Sequence, residues 1–291
     1  MGRIAYVNRR YLPQGQAQVH VEDRGYQFAD GVYEVVPIDA GTLIDEELHL
    51  DRLEYSLGEL RIAMPLRREA LKLIAREVIR RNHLTNGILY MQVTRGVAPR
   101  DHKFPAKAKP SLVMTAKQTK PASAAALSKG FSVITCPDIR WKRPDIKSIS
   151  LLPNCLAKQQ AAEAGAGEAW MIDAEGQVTE GSSTNAWIVT KDKRVVTRPA
   201  EGEILNGITR RVLLDLMQAE GYRFEERPFS LPEALEASEA FITSSSNFVM
   251  PVTRIDETPV GNGNPGPLTQ ALREAYVAGF AGQDERQDSR A

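Results

Sequence analysis

Trp141-Lys142-Arg143-Pro144-Asp145-Ile146-Lys147-Ser148 puts one lysine after a Pro-Asp-Ile run, and three stretches downstream give that lysine its meaning. They are Thr179-Glu180-Gly181-Ser182-Ser183-Thr184-Asn185, Leu205-Asn206-Gly207-Ile208-Thr209-Arg210 and Ile242-Thr243-Ser244-Ser245-Ser246. A lysine amine can hold an aldehyde as an imine. A carboxylate facing a pyridine nitrogen keeps that nitrogen protonated, and the ring then accepts electrons from a carbanion. Hydroxyl- and glycine-rich turns offer amides and hydroxyls to a phosphate. One lysine, one acid and two such turns, in that order, supply what a pyridoxal phosphate site needs.

Each signal is ordinary by itself. Most lysines are solvated, an acid before Gly-Ser-Ser is a common turn residue, and Asn206 before Gly207-Ile208-Thr209 reads as a plain helix cap. The chemistry adds a condition to each. The lysine must be partly desolvated so that a neutral amine is available. The helix opening at Ile208 must leave its first amides exposed to an anion. Arg52, on an amphipathic helix of the first half, is a candidate counter-charge. Arg100 and His102, two apart in a proline-containing loop, are candidates to grip a carboxylate, with Asp101 between them.

The bulk numbers narrow the class. The chain has 291 residues, 42% apolar and 25% charged, enough for one large or two medium domains. Lys plus Arg and Asp plus Glu both number 37, so the net charge is zero and the basic doublets are scattered among acids. No basic stripe argues for nucleic acid. Cys136 and Cys155 are too few for a disulfide framework and have no metal-ligand spacing, so they are expected as two reduced thiols, buried or half-buried, with no metal. There is no signal-peptide run, no myristoylation signal and no apolar stretch of about 18 residues. The expectation is a cytoplasmic protein with no membrane partner.

Periodicity sketches the organisation. Strands are expected at residues 3–8, 32–38, 42–44, 88–94 and 111–115. Helices are expected at 46–60 and 67–82, with Leu50, Leu53 and Leu57 on one stripe and Leu71, Ala75 and Val78 on the other. Residues 119–130, rich in Pro, Ala, Ser and Lys, are expected to link an N-terminal domain (1–118) to a C-terminal one (131–281). Residues 282–291 are expected to be a disordered tail. The second half alternates short strands with helices at about 154–164, after Asn206-Gly207 and from Leu268. Strands clustered apart from helices, without strict βαβ alternation, indicate an α+β fold in two parts.

Longer motifs carry a resemblance that covers roughly residues 3–280. They are Glu22-Asp23-Arg24-Gly25-Tyr26-Gln27-Phe28-Ala29-Asp30-Gly31-Val32-Tyr33-Glu34, His49-Leu50-Asp51-Arg52-Leu53, the Arg100–Phe104 stretch, Asp145-Ile146-Lys147-Ser148, Thr179-Glu180-Gly181-Ser182-Ser183 and Gly207-Ile208-Thr209-Arg210. In these the chain resembles the D-amino-acid (D-alanine) aminotransferase family of fold-type-IV pyridoxal-phosphate enzymes. The resemblance implies a smaller α/β N-terminal domain and a larger β-barrel-like C-terminal domain. It implies pyridoxal 5'-phosphate as cofactor and transamination between a D-amino acid and a 2-oxo acid such as 2-oxoglutarate or pyruvate. By position, Lys147 matches the Schiff-base lysine and proton shuttle, Glu180 the partner of the pyridine nitrogen, and Leu205 the aliphatic residue on the cofactor ring. Arg52, Ile208, Thr209, Ser244 and Ser245 match phosphate ligands. Tyr33, Arg100 and His102 match the trap for the substrate carboxylate, part of which comes from a second subunit in that family, which implies a homodimer. Two departures are Asp101 inside the Arg-x-His pair and an apolar loop at residues 247–250.

Rival readings share the fold. A branched-chain L-amino-acid aminotransferase keeps the lysine and acid but seats the carboxylate differently, and the Arg100/His102 pair argues against it. An (R)-selective amine transaminase needs a pocket for a group without a carboxylate. An aminodeoxychorismate lyase eliminates pyruvate. A non-enzymatic binder has no need of an electron sink, so Lys147 with Glu180 argues against one.

Overall fold

The computed structural model describes residues 2–280. The tail expected at 282–291 lies outside them. The chain forms two compact units. The first is residues 2–120 with Ile146–Ser150; the second is Pro121–Asp145 with the described residues from Leu151 onward.

In the first unit the alternating strands build one antiparallel sheet. In chain order its elements are β1 (Ile4–Val7), β2 (Arg10–Pro13), α1 (Arg24–Phe28), β3 (Gly31–Asp39), β4 (Thr42–Leu43), α2 (Glu46–Glu59), α3 (Arg68–Arg81), β5 (Gly87–Thr94) and β6 (Ser111–Gln118). The strand order is β2-β1-β6-β5-β3-β4. Side chains on successive strand residues point to opposite faces, so Val32, Val36, Leu89, Met91 and Met114 share one side of the sheet. That side packs on the leucine stripes of α2 and α3, where Leu50, Leu53, Leu57, Leu71 and Val78 are all buried. The opposite side carries Tyr33, Tyr90 and Gln92. The segment at Lys147 joins this unit beside β3: Tyr33 N donates to Lys147 O at 3.0 Å and Ile149 N to Gly31 O at 3.1 Å.

The second unit is built on a larger sheet. Its elements are α4 (Ala124–Lys129), β7 (Phe131–Pro137), α5 (Leu152–Glu163), β8 (Glu168–Ile172), β9 (Val178–Gly181), β10 (Asn185–Val189), β11 (Val195–Thr197), α6 (Ile208–Ala219), β12 (Phe224–Glu226), α7 (Leu231–Leu235), β13 (Glu239–Ser244), β14 (Phe248–Ile255), β15 (Thr258–Pro259) and α8 (Pro267–Ala278). The order is β12-β11-β10-β13-β14-β7-β8-β9, with β15 on β14. Three residues, Ser182–Thr184, separate β9 from β10, yet the two stand several strands apart along this path. The sheet must therefore curl back on itself, as twisted sheets of this size do. Trp170, Ile188, Ile242, Met250, Val252 and Phe229 fill its core.

Several local expectations change. Residues 119–130 are not featureless: Ser123 caps α4 by accepting from Ala126 N. A Ser followed by an Ala-rich run is a helix start that the Pro-and-Lys composition masked. Residues 247–250 are not a free loop either. Phe248–Met250 open β14, which lies between β13 and β7. Pro251 hid this strand, because proline inside an apolar run argues against a central strand. The structure tolerates it because pairing with β7 starts only at Val252. Phe248 adopts φ 57°, rare for a bulky residue. It is held there by packing on Tyr276 and Phe280, while Arg273 donates to the carbonyls of Asn247 and Val249. Of the two free thiols, Cys136 is buried but Cys155 is exposed, on the solvent side of α5. No described helix is long and apolar enough to cross a membrane, and no group of acids, His and Cys among the described residues could hold a metal ion.

Candidate active site

In the first unit the lysine stretch sits on the rim of β3. Lys147 is half-buried. Its backbone N donates to Ser56 Oγ at 3.2 Å, and its Nζ lies 4.3 Å from the centre of the Tyr33 ring. Two backbone bonds and an aromatic face thus fix where the amine emerges. Tyr33 in turn packs on Tyr90 at 5.7 Å, and burial pushes the Tyr90 hydroxyl up to about 12. The structure therefore brings Lys147 and Tyr33 together, as two of the sequence candidates.

One turn of α2 before Ser56 lies Arg52, buried and held by Glu34 of β3. Arg52 Nε and Nη2 donate to the two Glu34 oxygens at 2.8 Å each, and His49 Nδ1 is 2.7 Å from Oε2. Burial alone would raise Glu34, but the Arg52 guanidinium and the hydrogen bonds of Arg52 and His49 outweigh it and hold the carboxyl at about 2. Burial pushes His49 down, which favours the neutral imidazole. An ionised Glu34 can only accept, so His49 must carry its proton on Nδ1. Glu34 closes the Glu22–Glu34 motif but was given no role, because an acid within a strand does not show its partner in the sequence. The helical spacing of His49 and Arg52 was the available clue, since both fall on the face that meets β3.

Arg100 and His102 are exposed and lie together on the loop after β5. Asp101 does not pair with either neighbour. Its side chain accepts from Lys103 N at 3.3 Å, and its carbonyl accepts from Arg24 Nη1 at 2.5 Å.

The second unit assembles the other candidates. Glu180, on β9, is buried and receives Arg140 Nη1, Asn185 Nδ2 at 2.9 Å and Leu205 N at 3.2 Å. Burial pushes the Glu180 carboxyl up, against the pull of the Arg140 guanidinium. Arg140 is itself oriented by two bonds to Asp138, at 2.9 and 2.7 Å. Asn185 Nδ2 also donates to Leu205 O at 2.9 Å, which ties the acid to the segment leading into α6. Asn185 pairs with Thr243 across β10 and β13, so Ser244 and Ser245 follow directly at the end of the neighbouring strand. Glu180, Leu205, Ile208, Thr209, Ser244 and Ser245 thus belong to one neighbourhood. Sequence reading missed Arg140 and Asn185. Asn185 ends one candidate motif and Arg140 lies just before another, and only the fold shows that both reach Glu180.

The cap of α6 corrects one detail. The cap residue is Gly207, not Asn206, and it offers no side-chain bond. A Cβ at Gly207 would come 2.1 Å from Asn185 Oδ1, so the close approach itself demands glycine. The first amides of a 12-residue helix are left to an outside acceptor, at the positive end of its dipole.

This donor set suits a phosphorylated pyridine: a buried carboxylate for a ring nitrogen, an uncapped helix start and a pair of serines for a dianion. Comparison with known proteins agrees. The chain matches the amino-transferase class IV family over residues 31–255. This chain belongs to that family. It is 43% identical to a D-alanine aminotransferase of Bacillus licheniformis over 92% of this chain and 94% of that one. Among solved structures, a branched-chain amino acid aminotransferase of Escherichia coli superposes with a TM-score of 0.88 at 22% identity, covering 96% and 94% of the two chains. A branched-chain amino acid aminotransferase of Thermobaculum terrenum, solved in its PLP-bound holo form, gives 0.84 at 22% identity over 98% and 96%. The fold-type-IV expectation is borne out, and with it a pyridoxal 5'-phosphate enzyme of the aminotransferase class.

Gly207→Ala should weaken cofactor retention about tenfold, because the new methyl displaces the Asn185 amide that links Glu180 to Leu205. Titrating apoprotein with pyridoxal 5'-phosphate tests this; an unchanged dissociation constant would remove Asn185 and Gly207 from the binding argument.

Proposed function

We propose that this aminotransferase moves the amino group of a D-amino acid, of D-alanine type, to a 2-oxo acid such as 2-oxoglutarate or pyruvate. The observation that carries the chemistry is Glu180: a buried carboxylate, fixed by Arg140 and Asn185, beside an uncapped helix start. The 43% identity to a D-alanine aminotransferase supports the choice of hand.

Pyridoxal 5'-phosphate, when bound, supplies the aldehyde that receives the amino group and the ring that withdraws electrons from the substrate Cα. The rest falls to the protein. The Lys147 amine would hold that aldehyde and, once released, would serve as the proton shuttle that takes the proton from the substrate Cα. A single positioned amine of this kind contributes about 10²–10⁴-fold. Glu180 would keep a proton on the pyridine nitrogen, and Leu205 would pack on the ring. The amides of Ile208 and Thr209 would hold the phosphate with Ser244 and Ser245, and Arg52, which matches a phosphate ligand by resemblance, would supply counter-charge. Tyr33, Arg100 and His102 bind the substrate carboxylate. The working unit is a homodimer in the cytoplasm, in which the second copy contributes to that carboxylate trap.

The visible spectrum of the purified holoenzyme tests the reading. D-Alanine should bleach the cofactor band and L-leucine should not. Bleaching by L-leucine alone would replace the proposal with branched-chain L-amino-acid transamination, the activity named for the structural neighbours. A band touched by neither would redirect it to an amine transaminase or a lyase.

A further inference from the structure

The first unit builds a scaffold around the loop of Arg100 and His102. Phe28, the last residue of α1, is half-buried, and three side chains converge on its ring. Arg100 Cζ lies 4.5 Å from the ring centre, Arg24 Cζ 4.7 Å, and the His102 ring centre 5.5 Å. Guanidinium groups at this distance are attracted by the negative face of an aromatic ring. Among the described residues no carboxylate pairs with Arg100, so the ring is what orders it while its donors stay available.

The platform is itself anchored. Asp30 accepts from Arg24 Nε at 2.7 Å and from Arg95 Nε at 2.7 Å and Nη2 at 3.0 Å. Arg95 also donates to the carbonyls of Leu60 and Arg61, and it lies 3.6 Å from the Phe104 ring at the far end of the loop. Arg24 clamps the loop midway through the Asp101 carbonyl. Arg24, Asp30 and Arg95 are nearly inaccessible, so this hub is rigid, while Arg100 and His102 project into solvent.

We propose that Phe28 is a positioning residue for substrate recognition: its ring holds Arg100 and His102 in one orientation, so that both reach a carboxylate together. This rests on the reading of Arg100 as a carboxylate ligand. An unsupported arginine must be ordered anew by each substrate molecule, and that loss falls on binding rather than on the proton transfer.

The test compares the holoenzyme with Phe28→Leu, Phe28→Tyr, Arg100→Ala and the double variant Arg100→Ala/Phe28→Leu, in steady-state kinetics with D-alanine. Phe28→Leu should raise KM about tenfold with kcat within about twofold, and Phe28→Tyr, which keeps the ring, should restore KM. In the Arg100→Ala background, Phe28→Leu should raise KM clearly less than it does in the wild type, because of the two groups it positions only His102 remains. If Arg100→Ala raises KM and Phe28→Leu does not, the platform is refuted and Arg100 keeps its role. If the two effects multiply in full, Phe28 acts by another route and the proposal also falls. If Arg100→Ala leaves KM unchanged, the carboxylate reading itself fails, and the proposal with it. Should Phe28→Leu lower the melting temperature, the tyrosine variant and the double variant still decide the matter.

Discussion

Lys147→Ala should abolish steady transamination while leaving the fold intact. The expected loss is at least the roughly 10²–10⁴-fold that one positioned proton-transfer group supplies, with a further loss because nothing then anchors the cofactor aldehyde. The fold should survive because the structure uses the Lys147 backbone, through Tyr33 N and Ser56 Oγ, more than its side chain. The side chain contributes one contact, its amine over the Tyr33 ring. Steady-state turnover of D-alanine with 2-oxoglutarate, alongside a melting curve, makes the comparison. Near-normal turnover in a folded variant would mean that another group moves the proton.

The second large effect concerns stability. Glu34 is 1% exposed and carries both Arg52 and His49, with its carboxyl held at about 2 against an ordinary 4.5. A carboxyl lowered in the folded state stabilises at pH values above its unfolded pKa. The contribution is complete above about 4.5 and is lost as the pH falls from there towards 2, as the folded carboxyl takes up its proton. The shift corresponds to roughly 3 kcal/mol. Glu34→Gln should therefore cost about 3–5 kcal/mol at neutral pH, because it leaves a buried guanidinium without its counter-ion. Urea denaturation of both proteins from pH 7 down to pH 2 measures it. The wild type should lose its advantage between 4.5 and 2. A variant within about 1 kcal/mol of wild type at pH 7 would show that the pair is not holding the unit together.

The legible part of the fold came from period. Apolar residues at helical spacing marked α2 and α3, and the β-branched run of residues 32–38 marked β3, since burying one face requires those spacings. The elements that stayed hidden had competing local signals. β14 contains Pro251, and α4 is short and lies in a stretch whose composition resembles a linker. Within the apolar loop expected at residues 247–250, Phe248–Met250 are the start of a central strand, and Phe248 packs on Tyr276 and Phe280.

For the site, the sequence by itself named the candidate groups: one lysine, one acid, a helix start and a serine turn, in an order that few chemistries require together. These could be found because reactivity lives in side-chain type and local motif. What only the tertiary structure decided is which groups hold the reactive ones in place. Glu34 reaches Arg52 across 18 positions, Arg140 reaches Glu180 across 40, and Asp30 reaches Arg95 across 65. Such partners leave no local trace, because an ion pair depends on where two strands or a strand and a helix come to rest, and that is set by the burial of apolar residues elsewhere.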